Sequence, residues 1–141
     1  MKMIKIVKKD FTIEVYIGRD YDVDININNV NVTYYDGETV RENAASDDIT
    51  PQEWIEACFI EPLEAVETLE QVLDEFELPY IIGDTVYDLI DDYTASDAYS
   101  EEDVALLRES SPERLKEMFR CTEGVAFVTT KNQYALIWAE N

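Results

Sequence analysis

The sequence predicts an α+β fold, with an N-terminal antiparallel β-meander, a central cluster of short acidic helices and a C-terminal β-hairpin joining the sheet. Three observations carry this. Apolar residues alternate strictly through the first third of the chain, as in Phe11, Ile13, Val15 and Ile17. Helix-start chemistry and 3.6-residue spacing then dominate from Thr50 through the helix starts at Ser100 and Ser111-Pro112. Two β-rich runs flank Lys131-Asn132 at the end. Strands, then helices, then strands is the order of an α+β protein.

A first strand is expected around Ile4 to Val7 and a second from Phe11 to Ile17. Next comes "DYDVDININNVNV", residues 20–32. Asp20, Asp22 and Asp24 match the first three ligands of an EF-hand loop, but Ile25 stands where that loop needs Gly and Asn31 where it needs Glu. Alternation explains the stretch better. Tyr21, Val23, Ile25 and Ile27 share one strand face, and Asp20, Asp22, Asp24, Asn26 and Asn28 share the other. Asn28-Asn29 suits a two-residue turn, which would pair Ile27 with Val30, Ile25 with Val32 and Val23 with Tyr34. The polar face of this hairpin carries no Lys or Arg. Asp36-Gly37 reads as a second turn, returning into a short strand Thr39–Arg41 and then a polar loop, "RENAASDD".

Thr50-Pro51-Gln52-Glu53 opens a helix with an N-cap, a proline in the first turn and a capping-box Glu. Pro62 is expected to open a second helix reaching about Glu77, with Val66, Leu69, Val72, Leu73 and Phe76 inward. "LPYIIGD" is a strand or a buried connection. Asp84 is expected to cap a third helix with Val86, Leu89, Ile90 and Tyr93 on one face. Ser100 and Ser111-Pro112 start two more. No internal repeat or linker interrupts the chain, and 141 residues suit a single domain, 1–141.

Composition narrows function. The 46% apolar content is enough for a core, yet the net charge is −21, from 32 acids against 11 bases. Self-repulsion at this density costs stability. Such a chain should avoid nucleic acid and anionic membranes and bind something basic. The absence of His removes Ser-His and Cys-His catalysis. Four glycines and no Walker motif leave no phosphate cradle. Cys58, inside "WIEACFI", reads as a buried small hydrophobe. The basic N-terminus is broken by Lys8, Lys9 and Asp10, so a signal peptide is not expected and the location is read as cytoplasmic. No cofactor or metal is expected, and the chain reads as no enzyme. A monomer and a dimer both fit.

Charge is segregated. Residues 42–107 hold 20 acids and no Lys or Arg. Glu61, Glu64, Glu67 and Glu70 recur every three residues, followed by Asp74, and Asp88, Asp91 and Asp92 oppose an apolar helical face. Like charges so spaced cost a helix roughly 0.2–0.5 kcal/mol per pair. Halophilic adaptation would spread acids evenly instead. Acids three apart on a helix rise about 4.5 Å, and acids two apart on a strand about 6.6 Å. Both are comparable to phosphate spacing along DNA, about 3.4 Å of axis per strand.

In size, charge, the base-free segment and the rows Asp20/Asp22/Asp24 and Glu61/Glu64/Glu67/Glu70, the chain resembles the small acidic DNA-mimic proteins of phages and mobile elements, among them anti-restriction and anti-CRISPR inhibitors. The resemblance implies a non-catalytic inhibitor that fills the basic nucleic-acid groove of a nuclease or CRISPR effector. Its contact residues would be Asp20, Asp22, Asp24, Glu61, Glu64, Glu67, Glu70, Asp74, Asp88, Asp91 and Asp92. Tyr99, with Tyr87 and Tyr93, would anchor the contact. An immunity protein against a nuclease toxin, and a divalent-metal enzyme built on carboxylates, are the alternatives.

Overall fold

The computed structural model describes residues 2–95 and 99–138. The fold is α+β, in two compact units, Met1–Glu77 and Leu78–Asn141.

In the first unit, β1 (Lys2–Val7), β2 (Thr12–Ile17), β3 (Val23–Ile27) and β4 (Val30–Tyr35) form an antiparallel meander in sequence order. The alternation sets the faces. Ile13, Val15, Val23, Ile25 and Ile27 are buried on one side, while Glu14, Tyr16, Asp24 and Asn26 stay partly exposed on the other. The turn falls at Asn28-Asn29, both at positive φ, as a type I′-like turn needs. Ile27 pairs with Val30, but a bulge at Ile25/Asn26 shifts the register by one. Ile25 therefore faces Thr33 rather than Val32, and Val23 faces Tyr35 rather than Tyr34.

Asp36-Gly37 starts a helix, not a hairpin. Asp36 accepts from the Thr39 backbone N–H at 2.9 Å and caps α1 (Gly37–Ser46), which replaces the expected strand and polar loop. Val40 and Ala44, one turn apart, are its buried face. Gly37 lies so close to the Asp20 carbonyl that a side chain there would overlap it. The Thr39 backbone N–H leads the interactions that hold the Asp36 carboxyl below its ordinary value, against a smaller opposing desolvation. A lowered folded-state value stabilises above the unfolded value and is lost as pH falls through the folded one. Asp36→Ala should therefore lower the melting temperature at pH 7. Repeating the melts at falling pH should show the gap closing only in the acid range, and a gap constant with pH would refute the cap.

Thr50 caps α2 (Pro51–Ile55) with the expected capping box to Glu53. The helix runs on through a π-helical segment (Glu56–Ile60) into α3 (Glu61–Ala65), where the Glu61 N–H reaches the Glu56 carbonyl. Pro62 thus sits inside a helix rather than opening one. Having no N–H and a ring that crowds the turn before it, it is accommodated by the wider π turn. Extended backbone at Val66 and Thr68 ends the run, and Thr68 caps α4 (Leu69–Glu75) through a second box with Gln71. The core of this unit includes Phe59, whose ring meets Tyr35, Trp54 and Phe76. Cys58 is exposed: Ile55 and Phe59 take the inward face of the helix, and its neighbour points away.

In the second unit, β5 (Tyr80–Gly83), β7 (Tyr134–Trp138) and β6 (Val125–Thr129) form an antiparallel sheet in that order. The C-terminal hairpin thus joins a sheet completed by "YIIG". Thr85, not Asp84, caps a 3₁₀ turn (Val86–Leu89) that continues into α5 (Ile90–Tyr93). Ser100 and Ser111 cap α6 (Glu101–Glu109) and α7 (Pro112–Cys121) as expected. Val86, Leu89, Ile90, Leu115, Phe119, Phe127 and Leu136 make the core. Among the described residues no helix is long and apolar enough to cross a membrane.

Candidate interaction surface

The outer face of the first sheet stands out. Across the strands, Met3 pairs with Tyr16, Tyr16 with Asp24, and Asp24 with Tyr34. The next row is Lys5, Glu14, Asn26 and Asn31. The face therefore holds one cation, Lys5, beside Glu14. Tyr34 is 55% exposed, and Met3 and Val7, on the same face, are 46% and 70% exposed. These are three of the five large hydrophobics exposed among the described residues.

Carboxylate charges act on Tyr34. Its phenol is pushed above the ordinary value by desolvation, then by the charges of Asp22, Asp36 and Asp24. Tyr16 donates to Glu14 Oε2 at 2.9 Å, and that bond is the main reason its phenol is raised too. Both rings stay protonated and neutral at pH 7. Asn31 Nδ2 donates to Asn26 Oδ1 at 3.0 Å and to Asp24 Oδ1 at 3.4 Å, tying β4 to β3 along this face.

Asp22 and Asp24 keep the expected side of the strand, but Asp20 does not continue it. Tyr21 has φ 69°, and the backbone turns there, with Gly18 N–H bonded to the Asp22 carbonyl at 2.9 Å. Arg41 Nη1 donates to the Asp20 carbonyl at 2.5 Å, so a cation sits beside that turn.

The helical row is broken. Glu61 and Glu64 belong to α3, Glu67 to the extended link, and Glu70 and Asp74 to α4. All five are exposed. The Thr68 capping box is the reason, because it restarts the helix out of phase. Lys8 Nζ caps the end of α3 by donating to the Glu64 carbonyl at 2.9 Å. In the second unit Asp88 is spent on capping, accepting from the Thr85 N–H at 3.0 Å. Asp91 pairs with Arg108, the first base after the base-free segment. Asp92 is exposed. Tyr99 is half-buried, its ring 5.6 Å from that of Tyr93, which in turn packs edge-on against Phe119. Tyr87 is exposed, with its hydroxyl donating to the Ser110 carbonyl at 2.8 Å.

No family model, curated protein or solved structure matches this chain. Its chemistry must be read from the residues. Among the described residues no three Asp, Glu or Cys side chains converge as a metal site requires. Desolvation, then the Asp47 carboxylate, push the Cys58 thiol up, away from thiolate reactivity. A shallow cavity of about 240 Å³ in the second unit is lined by Tyr87, Pro112, Lys116 and Tyr134, with Lys116 Nζ over the Tyr134 ring at 5.2 Å. Tyr134, then Glu113, hold the Lys116 ammonium protonated, so it supplies no base.

Sequence reasoning missed Glu14, Tyr16, Tyr34 and Asp36 as members of the surface. Glu14 and Tyr16 were legible as the polar phase of a strand. Tyr34 was hidden by the bulge, which rotates it out of the expected apolar phase.

Proposed function

We propose that this protein is a non-catalytic acidic inhibitor that occupies the basic nucleic-acid-binding groove of a cytoplasmic defence enzyme, of the anti-CRISPR or anti-restriction type. The observation that supports this best is the sheet face on which Asp24 pairs with the exposed Tyr34, whose phenol also feels the charges of Asp22 and Asp36. Fixed carboxylates give complementary potential and speed encounter, and an exposed aromatic ring gives contact area that charge alone lacks. The acids of α3 and α4 extend the negative field around it.

The test uses the protein immobilised at low salt, a host lysate, and elution by a salt gradient. The eluted partner is then titrated with a labelled DNA duplex in the presence of the inhibitor. Duplex and inhibitor should exclude one another, and affinity for the inhibitor should fall with salt less steeply than affinity for the duplex. Fixed carboxylates have no condensed counterions to release. Asp22→Lys with Asp24→Lys should slow association by roughly tenfold or more, whereas Glu64→Lys with Glu67→Lys should slow it less. Simultaneous binding of duplex and inhibitor to the partner would end the proposal. A nuclease toxin as the partner would make the protein an immunity factor working by the same physics.

A further inference from the structure

The surface also says what kind of basic group it takes. Resting on the inhibitor reading above, we infer that the outer face of the first sheet receives a single arginine-rich segment of the partner, with guanidinium groups stacked on Tyr34 and Tyr16 and bridged to Asp22, Asp24 and Glu14.

Size favours one segment. Four strands spaced about 4.8 Å apart span about 14 Å, and strands of five or six residues run roughly 17–20 Å. That accommodates one helix, about 10–12 Å across with its side chains. It is far smaller than the roughly 800 Å² per partner of a standard interface, so the rest of any larger contact lies elsewhere. Composition favours arginine over lysine. A planar guanidinium can stack on a tyrosine ring while its edge donates two parallel hydrogen bonds to a carboxylate, whereas an ammonium is a strongly hydrated point charge. Tyr16 faces Asp24 across the strands on one side, and Asp24 faces Tyr34 on the other, so each ring has a carboxylate beside it. Both phenols are neutral, so neither is lost as a stacking surface at pH 7. Met3, 46% exposed at the end of this row, adds an adaptable apolar contact for the methylene stems. Lys5, opposite Glu14, repels cations and limits the far side.

The experiment uses the full chain and two synthetic 12-residue peptides, one rich in arginine and one with every arginine replaced by lysine. Binding is measured by calorimetry at physiological salt and mapped by amide and aromatic NMR shifts. The arginine peptide should bind more tightly and shift Tyr16, Asp24 and Tyr34. Tyr34→Ala should weaken it about 2–5-fold, the size of an exposed cation–π contact, and should reduce the preference for arginine to what Tyr16 alone supplies. Tyr34→Phe should keep both. Tyr34 is more than half exposed, so the alanine variant should melt like the parent. Shifts centred on Glu61, Glu64 and Glu70, equal affinity for the two peptides, or no effect of Tyr34→Ala would each overturn the inference. Those results leave the inhibitor reading standing if duplex competition holds. Loss of competition with arginine recognition intact would sink that reading alone.

Discussion

Phe119→Ala should destabilise the second unit by about 3–5 kcal/mol, the usual range for deleting a buried aromatic ring. Phe119 has no exposed surface, and its ring lies 5.3 Å from that of Tyr93 and 5.6 Å from that of Phe127. It holds α7 to β6 while touching the apolar face of the 3₁₀ turn and α5 through their shared core. The hole cannot close cheaply, because its walls come from separate elements that are each fixed by their own caps and ladders. For a unit of this size 1 kcal/mol is worth roughly 4–8 °C, so the melting temperature reported by Trp138 fluorescence should fall by about 12 °C or more. Leu106→Ala is the control. Leu106 is 64% exposed on α6 and should change stability by no more than about 0.5 kcal/mol. A loss below about 1 kcal/mol for Phe119→Ala would mean that the ring cluster is not what holds the unit together.

What could be read from the sequence was whatever local chemistry determines alone. The Asn28-Asn29 turn needs two residues that tolerate positive φ, and the sequence has them between matching alternations. Thr50, Ser100 and Ser111 cap where their hydroxyls predict. Misreadings arose where one local signal serves two structures. Asp36-Gly37 suits a hairpin turn and also a helix N-terminus, because in both the Asp side chain accepts from a backbone N–H two or three residues on. Val40 and Ala44, four apart, decide for the helix. Pro62 suits a first helical turn, but the helix before it widened instead of ending. Thr68 looked like one more position in a long acidic helix, and its capping box with Gln71 broke that helix. The candidate surface was half legible. Asp22 and Asp24 follow from period-2 alternation, whereas their meeting with Tyr34 and Asp36 depends on a bulge and on the chain re-entering as a helix. Neither follows from pattern alone.

The charge that makes such a surface possible should be measurable as a stability cost. The first unit carries 19 acids against 6 bases, and the second 13 against 5. In the first, Glu61, Glu64, Glu67 and Glu70 have no cationic side chain within ion-pair distance among the described residues. In the second, the pairs Lys116–Glu113 at 3.6 Å and Arg120–Glu117 at 3.5 Å are single helical contacts, each worth a few tenths of a kcal/mol. Salt screens attraction and repulsion alike, so the sign of its effect follows whichever dominates. Here repulsion does, by count and by placement. Raising sodium chloride from 20 mM to 0.5 M shortens the screening length from roughly 20 Å to about 4 Å, near the rise between helical acids three apart. The melting temperature should climb by several degrees, equivalent to about 1 kcal/mol or more. Glu64→Lys with Glu67→Lys should give part of the same gain at 20 mM salt and none at 0.5 M, because the relieved repulsion is already screened there. An unchanged or lower melting temperature in 0.5 M salt would show that the acids are compensated in space, and a charge-reversed variant that melts higher at both salts would show that its gain does not come from relieved charge repulsion.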